Sequence, residues 1–269
     1  MDRPRERIEP IFGKHDRQEE RVLTMEEVAG TAIREIDAWR VRVAGMPYER
    51  KGILYSEMFF FSVCAGAARP RRILESGRAR GQSTLLLAAS FPDVPIISIE
   101  SDPESPDAVV AEQRLRACRN VELRFGDATR LLPELAQPGD VALIDGPKGF
   151  RALRLALRLL AQGRVRMVFL HDLGRNTAER RFLEKRQWGT LYSDDTRFAE
   201  IAHRLDTSMA EVLPDGHRWE PGGAPKGYGY TLACLQWNPS GGYVRSWAAA
   251  GFAGFWHRAG GWFGLGHGE

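Results

Sequence analysis

The sequence predicts an α/β fold, a mostly parallel sheet with helices on both faces, and two observations predict it. From Ile73 to His171 short apolar runs alternate with stretches of helical periodicity, the pattern of strands joined by crossover helices. Those runs also close on acids or acid–glycine turns, at Glu75, Glu100, Gly126-Asp127 and Asp145-Gly146. An open parallel sheet presents its loops and helix N-termini to a ligand at such strand ends.

Ahead of the sheet, apolar residues recur at helical spacing from Gln18 to Val43 (Val22, Met25, Val28, Ile33, Ile36, Trp39, Val43), predicting an amphipathic helix ended by Gly45 and Pro47. A second helix, about Leu54 to Gly66, leads through Arg69-Pro70 into a first strand, Ile73 to Glu75. The alternation continues with a helix from Ser83 to Ser90, a strand from Pro95 to Glu100, a helix from about Pro106 to Cys118 and a strand from Val121 to Phe125. A short helix near Leu131, a strand from Val141 to Asp145, a helix from Arg151 to Gln162 and a strand from Val165 to His171 complete it. Beyond Thr177 the pattern weakens: a helix to about Gln187, a helix from Phe198 to Leu205, a Gly/Pro-rich stretch from Pro214 to Gly229 and a last strand from Tyr230 to Trp237. From Gly241 the chain is rich in glycine and aromatics, and its glycines argue against a regular helix. A packing arm is the plain expectation for this tail; a lid, a dimer contact or a membrane-interface segment are the others.

A chain of 269 residues, 43% of them hydrophobic, can bury one substantial core, here with additions at both ends: 1–52 as a helical extension, 53–240 as the main domain and 241–269 as the tail. The net charge is only +3 with acids and bases interspersed, so no nucleic-acid partner is expected. Cys64, Cys118 and Cys234 are far apart and form no CxxC pair, which excludes a disulfide framework or zinc knuckle and fits a cytoplasmic protein. The first twenty residues are too charged for a secretory signal. The longest apolar stretch, Ile53 to Ala68, is broken by Ser56 and Glu57 and falls short of the ~20 residues that span a bilayer. No transmembrane segment is expected, and homo-oligomerisation is left open.

The strand ends carry the chemistry. In Glu75-Ser76-Gly77-Arg78-Ala79-Arg80-Gly81-Gln82-Ser83 the glycines let the turn pass close to a ligand and Ser83 can start the next helix, but the spacing is not the GxGxxG of a dinucleotide site. Glu100 can accept from both hydroxyls of a ribose, and Asp127 from an adenine amino group. Each acid has a plain alternative as a helix cap or surface charge.

Five segments in register, ILYSEMFFFSVCAGAARPRRILESGRARGQST, IISIESDP, RFGDATRLLPEL, VALIDGPKG and VFLHD, resemble the class I S-adenosylmethionine (SAM)-dependent methyltransferases, nearest the catechol and caffeoyl-CoA O-methyltransferase branch and its bacterial relatives. The resemblance runs from about Ile53 to Asp172 and makes 53–240 a SAM-dependent methyltransferase domain. It implies a Rossmann-like, seven-stranded sheet with an antiparallel last strand, Glu75, Gly77 and Gly81 shaping the methionine pocket, Glu100 holding the ribose and Asp127 near the adenine. In the resembling branch an acid after the fourth strand and an acid-containing pair after the fifth hold a divalent cation; the positions here are Asp145 and His171-Asp172. Oxygen ligands suit Mg²⁺, whereas a histidine favours a softer transition metal. The branch often places Asn after the second acid, where this chain has Leu173.

Lys148 stands out because the chain uses arginine almost everywhere for positive charge, and lysine, unlike arginine, can lose its proton. Its offset of three from Asp145 resembles the metal acid and general base of the catechol enzymes; the plain alternative is a solvated loop lysine. The leading expectation is therefore O-methylation of a small hydroxylated acceptor, with an N-acceptor open. The rivals are a metal-independent methyltransferase in which His171 or Lys148 acts alone, and a non-catalytic SAM-fold scaffold; a nicotinamide enzyme fits the glycine pattern poorly.

Overall fold

The structure, a computed structural model, describes residues 22–49, 52–186, 188–207 and 231–262. Among the described residues two helices precede the sheet, α1 (Met25–Val43) and α2 (Tyr55–Ala68). Then follow β1 (Arg72–Ser76), α3 (Gln82–Ser90), β2 (Ile96–Glu100), α4 (Pro106–Leu115), β3 (Val121–Phe125), α5 (Ala128–Leu135), β4 (Asp140–Ile144), α6 (Phe150–Ala161) and β5 (Val165–Leu170). The chain closes with α7 (Ala178–Glu184), β6 (Leu191–Tyr192), α8 (Thr196–Thr207), β7 (Ala233–Gln236) and α9 (Tyr243–Trp262). The seven strands form one sheet in the order β3-β2-β1-β4-β5-β7-β6, parallel except for β7, which runs antiparallel to both β5 and β6. This is the Rossmann-like architecture that the sequence predicts. The strand order reverses at β1–β4, so ligand chemistry belongs at the carboxyl ends of those two strands.

Alternation along the strands divides the core: Ile73, Val141 and Phe169 face α1, α2, α3 and α8, while Leu74, Ala142 and Val168 face α5, α6, α7 and α9. Helix α1 is amphipathic, burying Val28, Ala32, Ile36, Trp39 and Val43 behind a Thr24–Glu27 capping box. Helix α2 is apolar nearly all round and buried nearly all round, with Glu57 as its one acid.

Two expectations change, and other segments are not described. The start of the first helix before Val22, the Gly/Pro-rich stretch Pro214 to Gly229, Tyr230 and the tail beyond Trp262 lie outside the described residues. The sequence shows no strand at Leu191–Tyr192, which are only two residues pairing at the edge of β7. The glycine-rich tail, expected not to form a regular helix, is helical from Tyr243 to Trp262. Gly254 serves the packing against α6: a Cβ there would stand 2.8 Å from Phe150 Cβ. Tyr243 anchors the start, its hydroxyl donating to Gln236 O (2.7 Å) and accepting from Asn238 N (2.9 Å). Propensity, about 1 kcal/mol per glycine, is overridden by a contact that only glycine permits.

Behind α2 lies a buried acid with a testable effect. Asp206 Oδ1 accepts from Ser56 N (3.1 Å), its Oδ2 has no partner, and burial, helped by the charge of Glu57, pushes its carboxyl up to about 7. An unfolded aspartate titrates near ~3.9. Between these values the folded chain binds the extra proton, so this group's stabilising effect is complete below about pH 4 and is lost as pH rises through 7. Asp206→Asn, which stays neutral, is expected to shrink the drop in Tm between pH 5 and pH 8, by an effect on the order of a few kcal/mol. An unchanged drop, read by thermal denaturation at both pH values, would count against it.

Candidate active site

The β1–α3 turn closes against the β4–α6 turn. Gly77 has φ +83°, and a Cβ there would lie 2.5 Å from Gly146 N, so only glycine lets the two loops touch. Asp145 N and Gly146 N both donate to Ser76 O, at 2.9 and 3.1 Å. Gly81, also left-handed, sits at the N-cap of α3. Glu75 is fully buried beneath α3, where it accepts from Thr84 Oγ1 at 2.5 Å beside the buried Ser83, and burial lifts its carboxyl above the usual range. Its other oxygen, Oε1, is without a partner among the described residues.

Glu100 ends β2 and reaches back to the same turn: Oε2 accepts from Ala79 N (3.0 Å), Oε1 from Ser101 N (2.7 Å). Asp127 stands at the next strand end but caps α5, accepting from Thr129 N and Oγ1, both at 2.8 Å, and these bonds hold it below its usual value. The hollow between Gly77, Gly52 and Ser83 has a volume of only about 60 Å³. Arg80 ties across its mouth to Glu49 (2.8 Å) and Asp107 (3.2 Å), and Arg114 joins Glu49 at 3.3 Å. These long-range ties have no signature in sequence spacing.

Asp145, His171 and Asp172 converge at the ends of β4 and β5, each with a ligand atom within 4.8 Å of the others'. The left-handed backbone of Asp172 (φ +63°) accompanies this convergence. His171 Nδ1 is 2.7 Å from Asp145 Oδ1 and 3.2 Å from Asp172 Oδ1, yet it is buried with no acceptable hydrogen bond to either. An imidazole nitrogen so aimed among carboxylate oxygens is placed as ligands around a cation are. On the far side of the ring Nε2 lies 3.3 Å from Glu57 Oε2, a buried carboxylate that fixes the ring's orientation. Sequence spacing does not mark Glu57 as a site residue; its one signal is a lone acid in an otherwise apolar helix.

Lys148 Nζ donates to Asp145 Oδ1 and to Asp172 Oδ2. Burial would push this ammonium down, but the two carboxylates outweigh it and raise the pKa above the usual lysine value. Burial likewise opposes the charged form of His171, which Asp145 and Glu57 nevertheless hold well above its usual range. In return Asp145 and Asp172, which burial alone would lift, are held low by His171 and Lys148. Two carboxylates and an imidazole make a coherent donor set for a divalent cation, softer than the all-oxygen set that Mg²⁺ prefers. A cation there would have to displace the ammonium from both carboxylates.

Fold and site together define a Rossmann-like sheet, in the order β3-β2-β1-β4-β5-β7-β6, with a cluster of acids, a histidine and a lysine at the carboxyl ends of β4 and β5. Residues 70–145 match the family described as "Putative methyltransferase". The chain is 35% identical over 114 residues to the catechol O-methyltransferase of Mycobacterium tuberculosis, a stretch that is 40% of this chain and 52% of that protein, so the chain spans about half the length of this curated relative. Among solved structures it is similar to the SAH-bound methyltransferase PaMTH1 of Podospora anserina (17% identity, 79% of this chain and 94% of that one, TM-score 0.43). It is also similar to the O-methyltransferase TomG of Streptomyces achromogenes in complex with SAM (19%, 81% and 92%, TM-score 0.42). Its sequence similarity thus lies with a methyltransferase family model over residues 70–145 and with a catechol O-methyltransferase over 114 residues. Among the described residues no helix is long and apolar enough to cross a membrane.

Proposed function

We propose that the chain transfers a methyl group from SAM to a hydroxyl of a small acceptor, with the acceptor beside Asp145, Asp172 and Lys148. The observation that carries this reading is the convergence of these residues with His171 at the ends of β4 and β5, against the loop that holds Gly77. SAM when bound supplies the electrophilic methyl, and a divalent cation when bound supplies charge that eases loss of the acceptor's proton.

The remaining work falls to side chains. Glu100 would accept from the two ribose hydroxyls of bound SAM, and Gly77 and Gly81 keep the turn free of side chains where the methionine end would lie. Asp127 has one oxygen occupied by the α5 cap, and its other oxygen would be the acceptor for an adenine amino group. Asp145, His171 and Asp172 would hold the cation, with Mn²⁺ or another transition metal suiting the imidazole better than Mg²⁺ does. Lys148 would take the proton once its ammonium is released from the carboxylates.

A second reading rests on one observation: the Lys148 ammonium already sits on both carboxylates. It would then supply a permanent positive charge to the acceptor with no metal. Cofactor binding is common to both readings and is tested first. Calorimetry is expected to show binding of SAM and S-adenosylhomocysteine, weakened at least ~10-fold by Glu100→Ala, because two hydroxyls lose a charged acceptor. Binding of NAD with neither sulfur nucleotide would overturn both.

A further inference from the structure

A second hollow shares no lining residue with the one at the carboxyl edge. It is about 460 Å³, within the ~300–1,000 Å³ typical of small-molecule sites, and is bounded by the start of α6, by α7 and by the second half of α9. Phe150 and Phe182 meet edge to face in its wall, centroids 6.0 Å apart, and Ala253 completes the apolar surface. Arg181, Lys185 and Arg186 supply the polar part together with His257, and among the described residues no acid lines it.

What marks these cations is what they lack. Arg180, in the same helix, pairs with Asp194 at 2.7 Å and Glu184 at 2.9 Å. Arg181 and Arg186 donate only to backbone carbonyls, of Asn176 (2.8 Å) and Phe182 (2.6 Å), and none of the three has a carboxylate partner among the described residues. The Arg186 guanidinium lies over the Phe182 ring, 3.2 Å from its centroid, and burial with no opposing charge lowers its pKa. A partly desolvated guanidinium on an aromatic face is favourable ground for an anion, since an ion pair there restores what desolvation removed.

We propose that this hollow binds one amphipathic anion, its apolar body on Phe150, Phe182 and Ala253 and its carboxylate or phosphate on Arg181, Lys185 and Arg186. A fatty-acid-like metabolite and the headgroup of an anionic lipid share this chemistry. A second copy of the chain docking by the same face is disfavoured, because it would set these unpaired cations against each other.

The test is calorimetry on the full chain with monomeric decanoate, decyl phosphate, decanol and acetate. Decanoate and decyl phosphate are expected to bind at least tenfold more tightly than decanol or acetate. Arg181→Gln/Arg186→Gln should weaken decanoate at least tenfold, and Ala253→Leu, which fills the hollow without touching its charge, should do the same. Unchanged S-adenosylhomocysteine affinity and thermal midpoint will show that the variants are folded. Cosedimentation with phosphatidylcholine vesicles containing a third of phosphatidylglycerol then separates the sources: adhesion lost in the same variants identifies a lipid, and its absence a free metabolite. Decanol binding as tightly as decanoate, variants binding like the parent, or adhesion to vesicles without decanoate binding would each overturn the proposal.

Discussion

Exhaustive chelation and the Asp172→Ala substitution are each expected to lower turnover by ~10² or more, and the substitution to lower divalent-cation affinity with it. Asp172 contributes a carboxylate oxygen 3.2 Å from His171 Nδ1 and shares Lys148 with Asp145, so its loss removes a donor and loosens the other two together. Glu57→Gln should act more weakly and more selectively. It leaves all three donors in place but takes away the negative charge 3.3 Å behind the imidazole, and such supporting partners are worth about 10- to 100-fold in metal affinity. The expected signature is weaker Mn²⁺ binding by calorimetry with unchanged S-adenosylhomocysteine affinity. Full turnover in a chelated Asp172→Ala enzyme would instead select the reading in which the Lys148 ammonium stands in for the cation.

The parts of the fold legible in the sequence are those governed by local pattern. The third strand, Val121 to Phe125, an alternation of apolar and charged residues, is found with both its ends, and the other parallel strands, apolar runs closed by turns, to within one residue. Strand β6 carries too few residues to show a period. Helix α9 hides for a different reason: its glycines read as helix breakers until Phe150 is placed against Gly254, 104 residues away in sequence. The site divides in the same way. Asp145, Lys148, His171 and Asp172 lie at strand ends and could be named in advance; that the ammonium lies between the two carboxylates could not, because it depends on how two neighbouring loops meet. Nor could spacing show that Asp127 serves as a cap or that Glu49 ties Arg80 and Arg114 across the hollow. Such pairings are set by tertiary geometry.

Lys148→Arg and Lys148→Ala are both expected to lose turnover by ~10²- to 10⁴-fold, the range for removal of a general base, with cofactor affinity within twofold of the parent. Arginine keeps the charge but cannot give up a proton, so the pair separates chemistry from electrostatics. A free lysine titrates near ~10.4, and here Asp145 and Asp172 raise it further, so in the state described Lys148 is an ammonium and no base. A divalent cation changes both contributions: it occupies the carboxylates that favour the ammonium and adds a repelling charge beside it. The active, unprotonated fraction grows as pH rises toward the lysine's pKa, and the cation moves that pKa down. The rising limb of kcat against pH should therefore lie lower with metal than after chelation, and should vanish in Lys148→Ala. Wild-type-like turnover in Lys148→Arg would assign the side chain to electrostatic positioning of the acceptor and leave the proton to solvent or to another group.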